Sequence, residues 1–345
     1  MSDLLKRRPY GPREETEFLH EMAWLTRHHL RGCPEYGRIW PGWHGADSVE
    51  ELPYLHVGLF KLLELKTEGS GIQHQRTLNS SSTSGTGASR IVMDSLSARL
   101  QGESSIAILK DFVGPELRPL IVLDAPRSLR SAAMSARIAA AMSLRPLATD
   151  MRLVLGEAAD PASVNWQHVL DAAAQSDALL VYGFTYLLWQ AWAELPEEVK
   201  AVLATKKIHF VHSGGWKKLE NEKVGLAEYE ARLLEFAAPG SAVVDFYGLV
   251  EQVGIVYPQC REGYRHVPVW AGAIVRDPWT LEPLVNQPGQ LQLMNAITWG
   301  APYHNVLTED LARMVPGECP CGRSGPRFEL LGRMPKAELR GCSNV

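Results

Sequence analysis

The chain has 345 residues, 46% of them hydrophobic, and a formal net charge of −4. That is enough apolar content for a large core in one or two domains, and no basic field is present to hold a nucleic acid backbone, so that partner is not expected. Five unevenly placed cysteines are too few for a secreted disulfide scaffold and fit a reducing cytoplasm.

The opening MSDLLKRRPYGPREE lacks an apolar h-region, so no secretory signal is expected. From 14 to 29, Phe18, Met22 and Leu25 recur at helical spacing and predict a helix. Residues 52–67 mix loop and strand character. The segment SSSTSGTGASR (80–90) follows, and helices are expected over 95–110 and 128–143. Short apolar runs at 120–124, 178–182, 207–215 and 241–248 read as strands, several of them followed by helix-like stretches. Apolar strands alternating with helices mean an α/β fold with buried sheets. The uncharged run at 178–193 is shorter than a membrane span and contains Tyr, Thr and Gln, so it reads as buried rather than membrane-spanning. After Gly254 the pattern changes to short strands and turns, at 269–278 and 289–296, and predicts a smaller β-rich subdomain.

Ser81, Ser82, Thr83, Ser84, Gly85, Thr86 and Gly87 offer many hydroxyl donors on a flexible backbone. Taken alone the segment suits a linker, but a row of glycine-rich amides also makes an anion-binding nest. No Gly-Lys-Ser/Thr follows, so it is not a Walker A loop. Three further stretches favour the phosphate reading. HSGGWKKLE (212–220) places Gly214 and Gly215 after a strand, DFYGLVEQVG (245–254) places Tyr247, Gly248 and Glu251 after another, and NVLTEDLARM (305–314) carries Thr308 and Asp310. With LLGRMPKAELRG (330–341), these stretches in this order resemble the core motifs of the adenylate-forming enzymes. Together with LPYLHVGLFK and RDPWTLEPL, the set is similar to the acyl-protein synthetase family, LuxE, from about residue 50 onward.

The resemblance implies an α/β fold of the adenylate-forming N-terminal type, with mixed sheets, helices and a β-rich subdomain, and without the family's mobile C-terminal domain. The expected divisions are an entry segment (1–75), a nucleotide- and acyl-binding core (76–254), a β-rich subdomain (255–330) and a hinge-like tail (331–345). The implied activity is attack of a carboxylic acid on ATP to give acyl-AMP and pyrophosphate, followed by transfer to a cysteine thiol. The alternatives are an external acceptor such as coenzyme A, a carrier-protein thiol or an amine, or a non-catalytic binding protein of the same fold. A partner acyl-reductase or carrier protein is implied as well.

Residue by residue, Ser81 to Gly87 would cradle the β- and γ-phosphates, through a loop one residue shorter than the family's. Gly214 and Gly215 would lie against adenine, Tyr247 of the Tyr247-Gly248 pair would stack on it, and Asp310 would take the ribose hydroxyls. The alternative for Asp310 is a helix N-cap, which the TEDL sequence also suits. Arg333 would contact ribose or phosphate, and Glu251 would bind Mg²⁺. Lys217 and Lys61 are candidate substitutes for the lysine the family carries on its C-terminal domain.

Cys260, His266, Cys319 and Cys321 form a Cys₃His set, a tetrahedral zinc complement similar to that of phenylacetate-CoA-ligase relatives. In the LuxE family a cysteine in a near-terminal Arg-Gly-Cys-Ser stretch accepts the acyl group; here that is Cys342, with Arg340 nearby to favour its thiolate. The aromatic run at 181–193 is either an acyl-chain lining or plain core.

Overall fold

The computed structural model describes residues 3–79, 88–130, 136–216 and 221–335. The chain opens with α1 (Glu15–Gly32) and α2 (Pro34–Ile39), then β1 (Leu55–His56) and α3 (Leu59–Leu62). α1 buries Phe18, Met22 and Leu25 on one face, as the spacing predicts. β2 (His74–Asn79) and β3 (Arg90–Asp94) form an antiparallel pair in which Asn79 faces Arg90, so both ends of segment 80–87 start from one place. α4 (Ser95–Val113) follows directly. Asp94 caps it by accepting from Leu96 N at 3.0 Å and Ser97 N at 3.2 Å.

An α/β half comes next: β4 (Arg118–Val122), α5 (Ala136–Leu144), β5 (Ala148–Leu153), α6 (Trp166–Ala173), β6 (Ala178–Phe184), α7 (Thr185–Ala193), α8 (Glu197–Leu203), β7 (Lys207–Ser213), α9 (Leu226–Leu234) and β8 (Ala242–Tyr247). β4 to β8 are parallel, in the spatial order β5-β4-β6-β7-β8, with β9 (Tyr257–Pro258) antiparallel at the edge of β8. Helices cover both faces. Ile121, Leu123, Leu179, Val181, Ile208 and Phe210 pack against α6 to α9, while Leu120, Val122, Leu180, Tyr182 and Val211 pack against α4 and α5. This is why β4 and β6 carry unbroken apolar runs.

The remaining strands are β10 (Arg265–His266), β11 (Ala271–Arg276), β12 (Pro283–Leu284), β13 (Pro288–Asn295), β14 (Asn305–Met314) and β15 (Arg327–Arg333). They form an antiparallel sheet in the order β10-β15-β14-β13-β11-β12, and β1 joins β14 in parallel. Its core is shared with α1, with Leu52, Leu55 and Phe60, and with Leu100 and Ile108 of α4. α4 thus packs on both halves, because Leu109 and Val113 face the parallel sheet. Among the described residues no helix is long and apolar enough to cross a membrane.

Candidate functional site

The two sheets meet where β8 ends. Its last residue is Tyr247, and the chain turns through Gly248 into a single 3₁₀ turn, Val250–Gln252, that buries Glu251. Asp310 is buried on β14, opposite Arg333 on β15. The Tyr247 hydroxyl donates to Asp310 Oδ2 at 2.7 Å, and Arg333 Nε stands 3.8 Å from Asp310 Oδ1 with its side chain largely exposed. Tyr247, Asp310 and Arg333, which are far apart in sequence, therefore form one cluster. Asp310 begins no helix. It lies inside a ten-residue strand, with its amide donating to Thr308 Oγ1 at 3.1 Å. The N-cap alternative is overturned by the strand register.

Burial raises the Asp310 pKa, opposed by the Tyr247 hydrogen bond and Arg333. Burial also raises that of Glu251, opposed by the nearby Ser89 and Lys61, while the Asp310 charge adds to the rise. Both carboxylates are buried, and burial disfavours their charged forms until a cation comes near.

Gly214 and Gly215 follow β7, the strand beside β8, so they leave the parallel sheet at the same carboxyl-terminal edge as Tyr247. Ligands of doubly wound sheets bind at that edge. Gly214 has φ +83, and a Cβ there would stand 3.0 Å from the Phe184 ring, so only glycine fits. Beneath the turn, His212 bonds Thr185 Oγ1 through Nδ1 at 3.0 Å and lies 3.7 Å from Asp245. Arg265 holds the same Asp245. Burial works against the Asp245 charge, but Arg265 and His212 outweigh it and lower its pKa.

The four zinc-type donors also converge. Cys260 follows β9, His266 is on β10, and Cys319 and Cys321 lie in the turn between β14 and β15. Their donor atoms all lie within 4.8 Å of one another, with Cys260 Sγ 4.0 Å from Cys319 Sγ and Cys321 Sγ 3.2 Å from His266 Nε2. Zinc–sulfur bonds of about 2.3 Å require sulfur separations of this size. Burial lowers the His266 pKa to about 4 and raises Cys319 to about 11. The neutral imidazole is the form that ligates a metal. Arg327 fastens the cysteine turn by donating to the carbonyls of Pro316 at 2.9 Å and Glu318 at 3.1 Å. The cluster pairs with the Arg327 end of β15, six residues from Arg333, or roughly 20 Å along the strand.

Ser81, Ser82, Thr83, Ser84, Gly85, Thr86, Gly87, Lys217 and Cys342 lie outside the described residues. In the 181–193 run, Leu187, Leu188, Trp189 and Trp192 pack into the core against α8 and α9, so plain core is the correct reading for them. Sequence reasoning missed Ser89 and the Asp245–His212–Arg265 group. It also missed the fully buried Asp124, which Arg137 and Ser128 hold at the end of β4. Asp124, His212 and Asp245 fall within predicted strands, which does not reveal their partners, and Ser89 and Arg265 carry no such signal.

Comparison with known proteins adds to this geometry. The profile of the acyl-protein synthetase family, LuxE, matches residues 15–345. The long-chain-fatty-acid–luciferin-component ligase of Aliivibrio fischeri is 26% identical over 163 residues, 46% of this chain and 42% of the relative. Its Vibrio harveyi namesake is 23% identical over 167 residues, 48% and 43%. The matched region therefore spans under half of either curated relative. Among solved structures, an open conformation of 2-hydroxyisobutyryl-CoA ligase, in complex with 2-HIB-AMP and CoA, superposes with a TM-score of 0.66 at 14% identity. That match covers 95% of this chain and 77% of the ligase, and it shows that the fold is that of the adenylate-forming enzymes.

Proposed function

The chain belongs to the acyl-protein synthetase family, LuxE, and on that premise we propose that it activates a carboxylic acid, of the fatty acid class, with ATP. The observation that carries this reading is the convergence of Tyr247, Asp310 and Arg333 beside the buried Glu251 at the carboxyl-terminal edge of the parallel sheet. Asp310 accepts from the ribose hydroxyls, since one carboxylate takes two such bonds. Tyr247 stacks on adenine while its hydroxyl fixes Asp310, and Gly214 and Gly215 let the backbone lie against the base. Ser81 to Gly87 cradle the phosphates, delivered by the β2–β3 stem, and Arg333 and Lys217 offer positive charge. Glu251 is the carboxylate that holds Mg²⁺, which when bound neutralises phosphoryl charge.

The acid's carboxylate oxygen attacks the α-phosphorus, and pyrophosphate leaves with the electron pair of the broken bond. The Cys342 thiolate then attacks the acyl carbon and releases AMP, leaving a thioester for a partner reductase or carrier. Cys260, His266, Cys319 and Cys321 hold a structural zinc, supported by the donor spacing and the distance from Arg333. The test is intact-protein mass spectrometry after incubation with ATP, Mg²⁺ and a panel of fatty and aromatic acids, with pyrophosphate release followed in parallel. A hydroxylamine-sensitive adduct on Cys342 is expected. Pyrophosphate release without an adduct moves the acceptor off this chain, and neither signal with any acid sinks the adenylation reading.

A further inference from the structure

We propose that Lys61 is a catalytic residue of the adenylation step, its ammonium group bearing on the α-phosphate and the attacking carboxylate. The proposal rests on the adenylation reading above. β1 pairs in parallel with β14, Leu55 against Val306 and His56 against Leu307, and Val57 N donates to Leu307 O at 2.9 Å. This register carries α3 along β14 towards Asp310. Lys61 Nζ lies 3.8 Å from Oε1 of Glu309, the residue before Asp310. α3 also packs against β3, the strand that begins just after segment 80–87 and follows Ser89. Ser89 and Lys61 both lie near enough to Glu251 to favour its charged form. Lys61 thus stands where the stem of the serine–glycine segment, the Glu251 turn and β14 come together.

Its surroundings suit a working cation better than a structural one. The side chain is only 23% exposed, yet the separation from Glu309 is too long for a hydrogen bond. Among the described residues the ammonium group is held by charge at 3.8 Å from Glu309, without a short bond to break when an anion arrives. In the adenylation step a carboxylate oxygen bonds to the α-phosphorus and the bond from phosphorus to the bridging oxygen breaks. The electron pair departs on pyrophosphate. No proton is transferred, so Lys61 acts through its charge, drawing the two anions together and stabilising the charge that spreads over the phosphoryl oxygens.

The experiment is acid-dependent ATP–pyrophosphate exchange on the full chain with Mg²⁺, comparing wild type, Lys61→Ala, Lys61→Arg and Glu309→Gln. Lys61→Ala is expected to lose about 10²-fold in kcat, the size seen when one charge-stabilising group is removed. Its ATP affinity and melting temperature should stay near wild type. Lys61→Arg should recover part of the rate, and Glu309→Gln should stay within a few-fold of wild type because it leaves the cation in place. A Lys61→Ala rate within a few-fold of wild type overturns the proposal. So does a Glu309→Gln loss as large as that of Lys61→Ala, which would make the ion pair the operative feature. Absence of exchange in the wild type with every acid sinks the adenylation reading itself, and is seen before any variant is compared.

Discussion

In the parallel sheet, Leu120, Ile121, Val122, Leu179, Leu180 and Val181 are fully buried by helices on both faces. In the antiparallel sheet, Gln290, Gln292, Asn295, Asn305, Thr308 and Asp310 are just as buried, and each is tied to a partner. Gln292 Nε2 donates to Asn305 Oδ1 at 2.8 Å, Asn305 Nδ2 to Pro53 O at 3.0 Å, and Gln290 Nε2 to Thr308 O at 2.6 Å. The first region is held by non-directional burial, which tolerates imprecise side-chain placement. The second is held by directional bonds that fix each group, as a nucleotide site requires. The two glycine turns hang from the first region, but the carboxylates that would meet the nucleotide stand on or beside the second.

Four measurements sharpen or break this contrast. The largest effect is expected at the Cys₃His cluster, where Cys260→Ala or a zinc chelator would remove the folding energy that a bound zinc would supply. Calorimetry should then show the antiparallel half melting early while the parallel half keeps its transition. A single unshifted transition, together with no bound zinc by elemental analysis, removes zinc from the account. Next in size, Leu180→Ala in the parallel sheet should lower stability by about 2–5 kcal/mol, as for other buried leucines. Denaturant unfolding measures it, and ATP affinity under native conditions should be unchanged.

Smaller again is Asp310→Ala, which removes a charged acceptor and leaves the buried Tyr247 hydroxyl without its partner. We expect ATP binding weaker by about 1.5–3 kcal/mol, the range for a hydrogen bond to a charged group, read by calorimetric titration. Unchanged affinity detaches Asp310 from the nucleotide. The smallest effect concerns pH. Burial raises the folded-state pKa of Glu251, so the fold favours its protonated form. That stabilisation is complete below the ordinary glutamate value of about 4.3 and is lost as pH rises through the folded value. Glu251→Gln should therefore raise the melting temperature of the ligand-free protein at pH 8, with the difference from wild type shrinking towards pH 4, while Mg²⁺-dependent turnover is lost. A melting temperature that falls at pH 8 means Glu251 is not a strained acid awaiting a cation.

Much of the parallel half was legible in the chain. LIVLD and ALLVY carry apolar residues without alternation, a pattern that requires cover on both faces and so a βα succession. The expected strands fall within two residues of the observed β4, β6, β7 and β8. The expected helix over 128–143 is shorter, with α5 starting at Ala136 among the described residues. The antiparallel half was readable only as short strands and turns, because Gln, Asn, Thr and Asp in a strand look solvent-facing until their partners across the sheet are known. TEDL also suits a helix start, and its strand state was decided by pairing with β13 and β15.

The sequence by itself determined the family, the apolar strands, the glycine turns and the identity of the Cys₃His donors, since each depends on residues adjacent in the chain or on type alone. Tertiary structure decided that Tyr247 meets Asp310 across 63 positions, that Trp189 and Trp192 are core, and that Lys61 reaches Glu309. Those facts depend on strand order and register, which are set by the packing of the whole sheet and leave no local mark on the sequence.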